Sequence, residues 1–463
     1  MRKTASVGDI TGRLARIVGE ANVSESADGR EWDALGPGRG FRGIETLEPQ
    51  PLCLVRPGTT EEVAAVVTLA AQRQAGVVPY GGGSGLMGGA VAVRPSVVVD
   101  MARMDRVLEV GRTDQTARAQ AGVVLSDLDA ALEPEGLMLG HDPWTVSVAT
   151  VGGTISTDSL GYRGGKFGSM GAQVLGLTAV LPDGTVMEVR PVWKASVGPD
   201  LRRLFIGGEG CFGIVTEATL RVFPRPDKRA LMAYEFATFE AGFEAVLGVQ
   251  ATGLAPALMD FGEEFWQEGE KPVKARLYLG FEGFAEGVAA EEGRARRICD
   301  SSGGRDVGEE EAREFWEHRH DIGERFAERR RSGTRTAPFR GGFDYVHVAL
   351  APSRVLDYRG WCREAVAGRG LRLMESGIWC HPGLFSAVFM DNGGAGPEAM
   401  SGAVDELLGL AQEMGGSMEY CHGVGIRLAH LMAGEHGRGL DVLRAIKRAL
   451  DPLGIMNPGK LAL

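Results

Sequence analysis

The chain lacks three features, and each absence excludes a class of protein. Its six cysteines include no Cys-x-x-Cys pair, which argues against a zinc ribbon, and a disulfide framework is not expected in a chain of 463 residues. No window approaches about 18 uninterrupted apolar residues, and the amino terminus has no apolar core of signal length, so we expect a cytoplasmic protein. Acidic residues outnumber basic ones, and the net charge of −11 disfavours a nucleic-acid partner.

Glycine is abundant instead, with 69 residues, and it dominates the most informative segment of the chain. Residues 79–91 read Pro-Tyr-Gly-Gly-Gly-Ser-Gly-Leu-Met-Gly-Gly-Ala-Val and follow the apolar pair Val77-Val78. Without a Cβ the backbone can adopt positive φ and approach a ligand closely, and successive N–H groups can then point at one anion. The segment therefore predicts a loop that wraps a phosphate or pyrophosphate.

The order of elements around this loop argues against a nicotinamide-binding Rossmann fold. Residues 83–88 and 208–213 both fit Gly-x-Gly-x-x-Gly, but that motif requires a helix directly after its glycines. Residues 89–100 are extended and β-branched in character. The helix comes before the loop and starts at a capping box formed by Thr59 and Glu62. The predicted order is thus helix, strand, glycine loop and strand.

Composition divides the chain into four parts. Residues 1–47 read as a helical lead, and residues 48–226 alternate strand-like and helix-like pieces up to a proline-rich boundary. Residues 228–420 interleave apolar strand candidates with charged helical candidates, one of which covers 309–331. This pattern predicts an antiparallel sheet with helices on one face. Residues 421–463 form a last segment with a helix and a glycine-containing tail.

Several motifs in a fixed order resemble one family of flavoenzymes. The glycine loop is followed by His-Asp-Pro-Trp-Thr-Val-Ser-Val-Ala-Thr-Val-Gly-Gly from residue 141, Gly-Glu-Gly-Cys-Phe-Gly-Ile-Val from 208 and Asp-Pro-Leu-Gly-Ile-Met-Asn-Pro-Gly-Lys from 451. Together they resemble the vanillyl-alcohol oxidase/p-cresol methylhydroxylase class of FAD enzymes. The most similar branch holds D-lactate dehydrogenase, the glycolate oxidase FAD subunit, D-2-hydroxyglutarate dehydrogenase and alkyl-dihydroxyacetonephosphate synthase.

The resemblance implies an α+β fold with a two-subdomain FAD-binding domain at 48–226. It also implies an antiparallel-sheet cap domain with helices at 228–420, and a segment at 421–463 that returns to the FAD domain. No histidine precedes residue 141, so we expect noncovalent FAD. The residues that match the FAD contacts of the family are Pro79, Gly81, Gly82, Gly83, Ser84, Gly85, Pro143, Ser147, Thr150, Gly152, Gly153, Ser156, Gly161, Gly210, Gly213, Ile214, Val215 and Asn457.

Flavin-dependent oxidation of an alcohol needs a group that accepts the hydroxyl proton and a group that holds the substrate. The resemblance makes His422, which precedes Gly-Val-Gly, the first candidate for the base. His381 is a second histidine, Arg319 is the candidate clamp for an anionic group, and Tyr345 and Tyr420 are candidate lining residues.

The metal-dependent members of this branch carry His-x6-His on one strand and a Glu-His pair. Here Val388 stands at the second histidine position and Cys421 at the glutamate position. With two of four ligand positions lost, we expect no metal site.

These features predict an FAD-dependent oxidoreductase that takes a hydride from a C–H bond next to oxygen. Two alternatives stay open: a flavin-dependent synthase without net redox, resembling alkyl-dihydroxyacetonephosphate synthase, and an FAD-binding subunit without turnover of its own. The expected partner is a small-molecule substrate with an anionic group, and a homodimer is compatible with the sequence. The sequence identifies neither the substrate nor the electron acceptor, which leaves oxygen, a quinone or a redox protein.

Overall fold

The first subdomain is a four-stranded sheet with two helices. The computed structural model describes residues 7–24, 51–265, 275–332 and 342–463. The elements of this part are α1 (Val7–Val18), β1 (Val23–Ser24), β2 (Pro51–Val55), α2 (Thr60–Arg73), β3 (Gly76–Tyr80) and β4 (Ser96–Asp100). The strand order is β1-β2-β4-β3, in which β2, β4 and β3 are parallel. Thr59 caps α2 by accepting from the Glu62 amide at 3.2 Å, so the predicted helix start is confirmed.

The second subdomain is built on a five-stranded antiparallel sheet in the order β5-β6-β10-β8-β9. A hairpin turn at residues 182–184 joins the strand that ends at Val180 to the strand that begins at Val186. Its elements are β5 (Val107–Gly111), β6 (Thr116–Gln120), α3 (Leu125–Leu132), β7 (Leu137–Met138), α4 (Val151–Thr157), α5 (Gly164–Phe167), α6 (Met170–Gln173), β8 (Val174–Val180), β9 (Val186–Val189), β10 (Ile214–Arg221) and β11 (Phe223–Pro224).

The cap is a seven-stranded antiparallel sheet, as predicted. Its helices cover both faces rather than the single face predicted. Ala312 and Trp316 pack on the face that carries Leu231 and Ala233, whereas Val288 packs on the opposite face, which carries Met232 and Tyr234. Its elements are β12 (Lys228–Phe236), α7 (Phe239–Ala251), β13 (Leu258–Glu264), β14 (Ala275–Gly283), α8 (Ala285–Ser301), β15 (Arg305–Asp306), α9 (Glu309–His318), α10 (Asp321–Ser332), β16 (Phe343–Ala349), α11 (Val355–Gly368), β17 (Arg372–Trp379), β18 (Leu384–Met390) and α12 (Pro397–Glu413). The strand order is β15-β12-β14-β13-β17-β18-β16.

The structure also corrects two of the helix and strand assignments predicted within the cap. The single helix predicted at 309–331 is two helices, α9 and α10, which separate at Arg319 and His320. Strands β13 and β17 were not predicted, because Asp260, Gly262 and Gly377 are residue types depleted in strands. Cross-strand pairing with β14 and β18 overrides that local preference.

The two ends of the chain pack against the first subdomain. Helix α1 buries Ile10 and Leu14 in the core that α2 also fills, and the predicted lead from residue 25 to 47 lies outside the described residues. The last segment contains α13 (Met432–His436) and α14 (Arg438–Leu450). Its tail lies beside β3, where the Val77 amide donates to the Ile455 carbonyl and the Asn457 amide donates to the Val77 carbonyl, both at 2.8 Å. These two bonds fix Asn457 next to the glycine loop.

Within the described ranges, none of the helices combines the length and the apolar character that a membrane crossing requires.

A buried carboxylate joins the FAD-side subdomains to the cap. Asp142 lies 3.1 Å from the guanidinium groups of Arg163 and Arg319 and 2.7 Å from the His320 ring. Burial alone would raise the pKa of Asp142, but Arg163, His320 and Arg319 together hold it well below its usual range. Since Arg319 and His320 form the break between α9 and α10, the ion cluster also explains where the predicted single helix is interrupted.

We expect Asp142→Asn to lower the free energy of unfolding by about 3 kcal/mol, because it leaves the largely buried Arg319 guanidinium without its anion and leaves Arg163 with Glu282 alone. Urea denaturation at neutral pH measures this loss. Arg118→Gln is the matched control, since the Arg118–Glu217 pair is half exposed on the arginine side and its loss should cost below about 1 kcal/mol. Equal losses in the two variants would contradict the assignment of Asp142 as the interdomain tie.

The difference in free energy of unfolding between the wild type and Asp142→Asn should depend on pH. Because the pKa of Asp142 is depressed in the folded state, its stabilisation is present above the ordinary carboxyl pKa and is lost as the pH falls. The difference between the wild type and Asp142→Asn should therefore narrow below about pH 4.

Candidate active site

A cavity of about 1310 Å³, its open mouth included, lies where three chain segments meet. These are the glycine loop after β3, residues 143–160 and residues 209–215. Sixteen of the eighteen residues predicted to contact FAD line it: Pro79, Gly81, Gly82, Gly83, Ser84, Gly85, Pro143, Thr150, Gly152, Gly153, Ser156, Gly210, Gly213, Ile214, Val215 and Asn457. Eight of these sixteen residues are glycines, so this part of the wall exposes backbone, as a loop that wraps a pyrophosphate requires.

The glycines permit backbone contacts that no other residue would allow. A Cβ on Gly82 would lie 2.1 Å from the Val148 carbonyl oxygen, and one on Gly81 would lie 2.5 Å from Thr150 Oγ1. Gly210, at φ +74°, would place a Cβ 2.5 Å from Pro79. The glycine loop therefore packs directly on residues 148–150 and on the turn at 209–210.

One buried polar atom in the cavity wall, Asn457 Oδ1, has no hydrogen-bond partner among the described residues. Buried polar groups are nearly always hydrogen-bonded, so this atom points to a polar ligand as the missing partner. FAD, with its phosphates, ribityl hydroxyls and ring carbonyls, fits both this atom and the glycine-lined wall.

Ser147 and Gly161 are the two predicted FAD contacts that do not line the cavity. Gly161 packs instead on the backbone of Asp142, where an added Cβ would lie 2.5 Å from the Asp142 carbonyl carbon. Its glycine is therefore explained by the fold of the turn that carries Asp142.

Glu209 ties the cavity to the last segment of the chain. Its carboxylate accepts from the Val424 amide at 2.6 Å and from the Gly425 amide at 2.8 Å, and its carbonyl accepts from Asn457 Nδ2 at 2.5 Å. Burial raises the pKa of Glu209 to about 7, although the two amides oppose the shift. The residue was not predicted, and it holds the turn after His422 against the cavity wall.

A cluster of two histidines and a carboxylate stands at the cap side of the cavity. His422 lines the cavity, and its Nδ1 lies 3.1 Å from His347 Nδ1 and 3.6 Å from Glu419 Oε1. Glu419 Oε1 also accepts from the amides of Tyr420, Cys421 and His422, at 2.8 to 3.0 Å. The carboxylate is therefore fixed by the turn that carries His422.

The two imidazoles differ in how easily they take up a proton. Burial disfavours the charged form of His422, but the Cys421 sulfur and the Glu419 carboxylate favour it more strongly, so the pKa of His422 lies above its ordinary value. Burial, and next the neighbouring His422, lower the pKa of His347.

Three of the five predicted catalytic residues lie together. The rings of Tyr345 and His422 are 5.3 Å apart, and those of His347 and Tyr420 are 5.2 Å apart. Tyr420 Oη is buried without a hydrogen-bond partner among the described residues. His422, Tyr345 and Tyr420 thus share one wall of the space between the cap and the cavity.

The other two predicted catalytic residues are not brought to the cavity. His381 is exposed, with its Nε2 atom 2.9 Å from Gln250 Nε2. Arg319 is bound to Asp142 and stacks on Trp316, with its guanidinium carbon 3.8 Å from the ring centre. The guanidinium of Arg319, which was expected to bind an anionic group of the substrate, is therefore paired within the interdomain ion cluster instead.

Sequence reasoning missed His347 and Glu419. The family motif has its glutamate at the position of Cys421. Glu419 lies two positions earlier, so the comparison with the motif did not identify it as the carboxylate beside His422. His347 lies on β16, 75 residues from His422, and only the pairing of the strands brings it close. A histidine alternating with Tyr345 on one face of an apolar strand was the only local signal.

Comparisons with known proteins agree with this geometry. Residues 51–190 match the family described as FAD binding domain, and residues 225–461 match FAD linked oxidases, C-terminal domain. An uncharacterised FAD-linked oxidoreductase of Mycobacterium tuberculosis is 30% identical over 98% of this chain and 99% of its own. D-lactate dehydrogenase of Archaeoglobus fulgidus is 30% identical over 97% of this chain and 98% of its own. The structure of p-cresol methylhydroxylase with substrate bound superposes with a TM-score of 0.79 at 18% identity, and it covers 100% of this chain and 98% of that one. FAD is therefore the cofactor of this chain.

Gly82→Ala should abolish FAD retention on purification or weaken FAD binding by about 100-fold, because the added Cβ has no room beside the Val148 carbonyl. The measurement is the ratio of flavin absorbance to protein, followed by titration of the apoprotein with FAD. Gly85→Ala is the control, since nothing lies within 4 Å of a Cβ at that position in the same loop. Equal FAD affinity in the two variants would show that the close backbone approach does not form the FAD site.

Proposed function

This chain belongs to the FAD-linked oxidases, and from that premise we propose that it oxidises a small molecule of the hydroxy-acid kind. The hydride leaves the carbon that bears the hydroxyl group, and bound FAD supplies its acceptor, the flavin N5 atom. The observation that carries the proposal is that His422 lines the same cavity as the glycine loop. The chain therefore presents a proton-accepting group directly beside the FAD site.

His422, in its neutral form, takes the proton of the substrate hydroxyl, and its neighbours hold its ring. Glu419 and His347 both lie on the Nδ1 side of the imidazole, at 3.6 and 3.1 Å. A ring held on one side presents a fixed edge to the cavity, which is the positioning that general base catalysis requires. His347 and Glu419 are accordingly positioning residues in this proposal.

The face of the cap sheet beside this cluster supplies room for the substrate. Four residues lie directly opposite one another across four strands: Gly262, Gly377, Ser386 and His347. Residues that pair directly across strands share one face of the sheet. The atoms nearest to an added Cβ on Gly262 or Gly377 belong to the sheet itself. We infer that the substrate rests on these glycines, between Ser386 and the FAD cavity.

Carboxyl groups flank this part of the sheet. Asp260 pairs with Trp379 in the next register position of the same face, and Glu375 pairs with Val388 on the other side. Burial, followed by Glu375, raises the pKa of Asp260 to about 8, and burial, followed by Glu264, raises that of Glu375 to about 7. Near neutral pH both groups can donate hydrogen bonds as neutral acids. They favour a substrate with several hydroxyl or carbonyl oxygens over recognition of an anion by Arg319.

Aromatic side chains close the space toward solvent. Tyr162 of the second subdomain packs edge-on against Trp379 of the cap, with ring centres 5.1 Å apart. Leu160 and Cys421 fill the gap between this pair and the cavity. Exclusion of water on this side protects the hydride while it passes from the substrate carbon.

We expect His422→Asn to retain FAD but to slow substrate-driven flavin reduction by about 100-fold or more, the usual range for a lost acid–base group. The measurement is anaerobic stopped-flow bleaching of the flavin with a panel of 2-hydroxy acids that includes D-lactate and glycolate. His381→Gln is the control, because His381 is exposed and bonded to Gln250. Unchanged reduction in His422→Asn would rule out His422 as the proton acceptor.

The same experiment separates the remaining alternatives. Stoichiometric oxidised product with a flavin that stays reduced under anaerobic conditions supports the oxidoreductase. Product formation with a flavin that returns to the oxidised state identifies a synthase, and a flavin that no substrate reduces identifies a subunit without its own turnover.

A further inference from the structure

The cluster of His347, Glu419 and His422 has the composition of a metal centre. Its three potential ligand atoms, one from each residue, all lie within 4.8 Å of one another. The cluster joins two elements that are distant in the chain, since His347 lies on β16 and the other two lie in the turn after α12. A parallel bridge between His347 and Glu419 holds the two backbones side by side.

The distances within the cluster match those of ligands that share one ion. Two ligand atoms that are each about 2.1 Å from a tetrahedral ion lie about 3.4 Å apart. The two Nδ1 atoms are 3.1 Å apart, and His422 Nδ1 is 3.6 Å from Glu419 Oε1. Both separations are thus close to that value.

Backbone amides fix the Glu419 carboxylate in position to act as a ligand. Glu419 Oε1 accepts from three successive amides, so its position does not depend on the histidines. Its side chain is 5% exposed, and that of His422 is 13% exposed on the side of the cavity. Arg427, a neighbouring cation, is itself bonded to Asp344. The cluster opens toward the cavity through His422.

We propose that His347, Glu419 and His422 bind one divalent transition metal ion, such as Zn²⁺, beside the FAD cavity. Two imidazoles and one carboxylate are a common ligand set for such ions, and they leave coordination positions open for a substrate. The site does not follow the metal motif of related hydroxy-acid dehydrogenases. That motif needs histidine at Val388 and glutamate at Cys421, and of the three ligands only His422 occupies one of its positions.

A bound ion would change the roles of His347, Glu419 and His422. A bound ion would lower the pKa of a coordinated hydroxyl group. All three side chains would then be ligands, so His422 would hold the ion rather than take the substrate proton itself. The open side of the cluster would face the substrate space defined by Ser386 and Gly377.

The test is a titration of the purified, untagged, FAD-loaded protein with Co²⁺ after dialysis against a chelator. We expect one Co²⁺ per chain, with ligand-field bands at longer wavelength than the flavin absorption, and displacement of Co²⁺ by Zn²⁺. His347→Ala and Glu419→Gln should each weaken Co²⁺ binding by at least about 100-fold, because each removes a ligand. The glutamine keeps an oxygen that can accept from the turn amides, so Glu419→Gln reports on the ion even if His347→Ala fails to fold.

His430→Gln is the matched control, since His430 also pairs with a carboxylate, Asp405, but is exposed and outside the cluster. Absence of Co²⁺ and Zn²⁺ binding in the wild type would overturn the proposal, as would binding that Glu419→Gln leaves unchanged. FAD content is measured in every sample. Metal binding without substrate-driven flavin reduction would reject the proposed reaction but not the metal site. Flavin reduction by a wild type that binds neither Co²⁺ nor Zn²⁺ would reject the metal site but not the reaction.

Discussion

The buried carboxylate of Glu209 is the contact on which the arrangement of the site depends. It lies in the wall of the FAD cavity, at a residue with φ +47°, and it accepts from the amides of Val424 and Gly425 two and three residues after His422. Its carbonyl accepts from Asn457, whose own backbone is bonded to β3. One residue therefore sets the positions of the glycine loop, the chain terminus and His422 relative to one another, and a shift of any of them would disturb all three.

The residues of the candidate active site come from elements that are far apart in the sequence. Glycines expose backbone in the wall of the cavity, because phosphates are best held by N–H groups that no side chain obstructs. His347 comes from a strand of the cap and His422 from the turn after its last helix, and their surroundings shift the pKa values of both. Asp142 and its three partners keep the cap seated on the FAD domain, so that the hydride donor and its acceptor can be held at one distance.

Predictions from sequence succeeded where the chemistry of a position is local. Gly81, Gly82, Gly210 and Gly213 are required by close contacts, and they lie in the cavity wall as expected. Predictions failed where a side chain has several possible partners. His381 follows the family spacing but points to Gln250 at the surface, and Arg319 is attracted by Asp142, which sequence spacing alone does not bring near it. Likewise, Asp260 and Gly377 weaken the local strand signal, although β13 and β17 form the centre of the cap sheet.

The sequence by itself determined the α+β class, the FAD loop, the antiparallel cap and the presence of His422 before Gly-Val-Gly. These follow from periodicity, turn residues and motifs, which act over a few neighbouring positions. Only the tertiary structure decided that His347 meets His422 across 75 residues, that Glu419 supplies the carboxylate that Cys421 lacks, and that Arg319 belongs to an interdomain ion cluster. Such contacts depend on strand register and domain packing, and these are set by the burial of the whole core rather than by any local pattern.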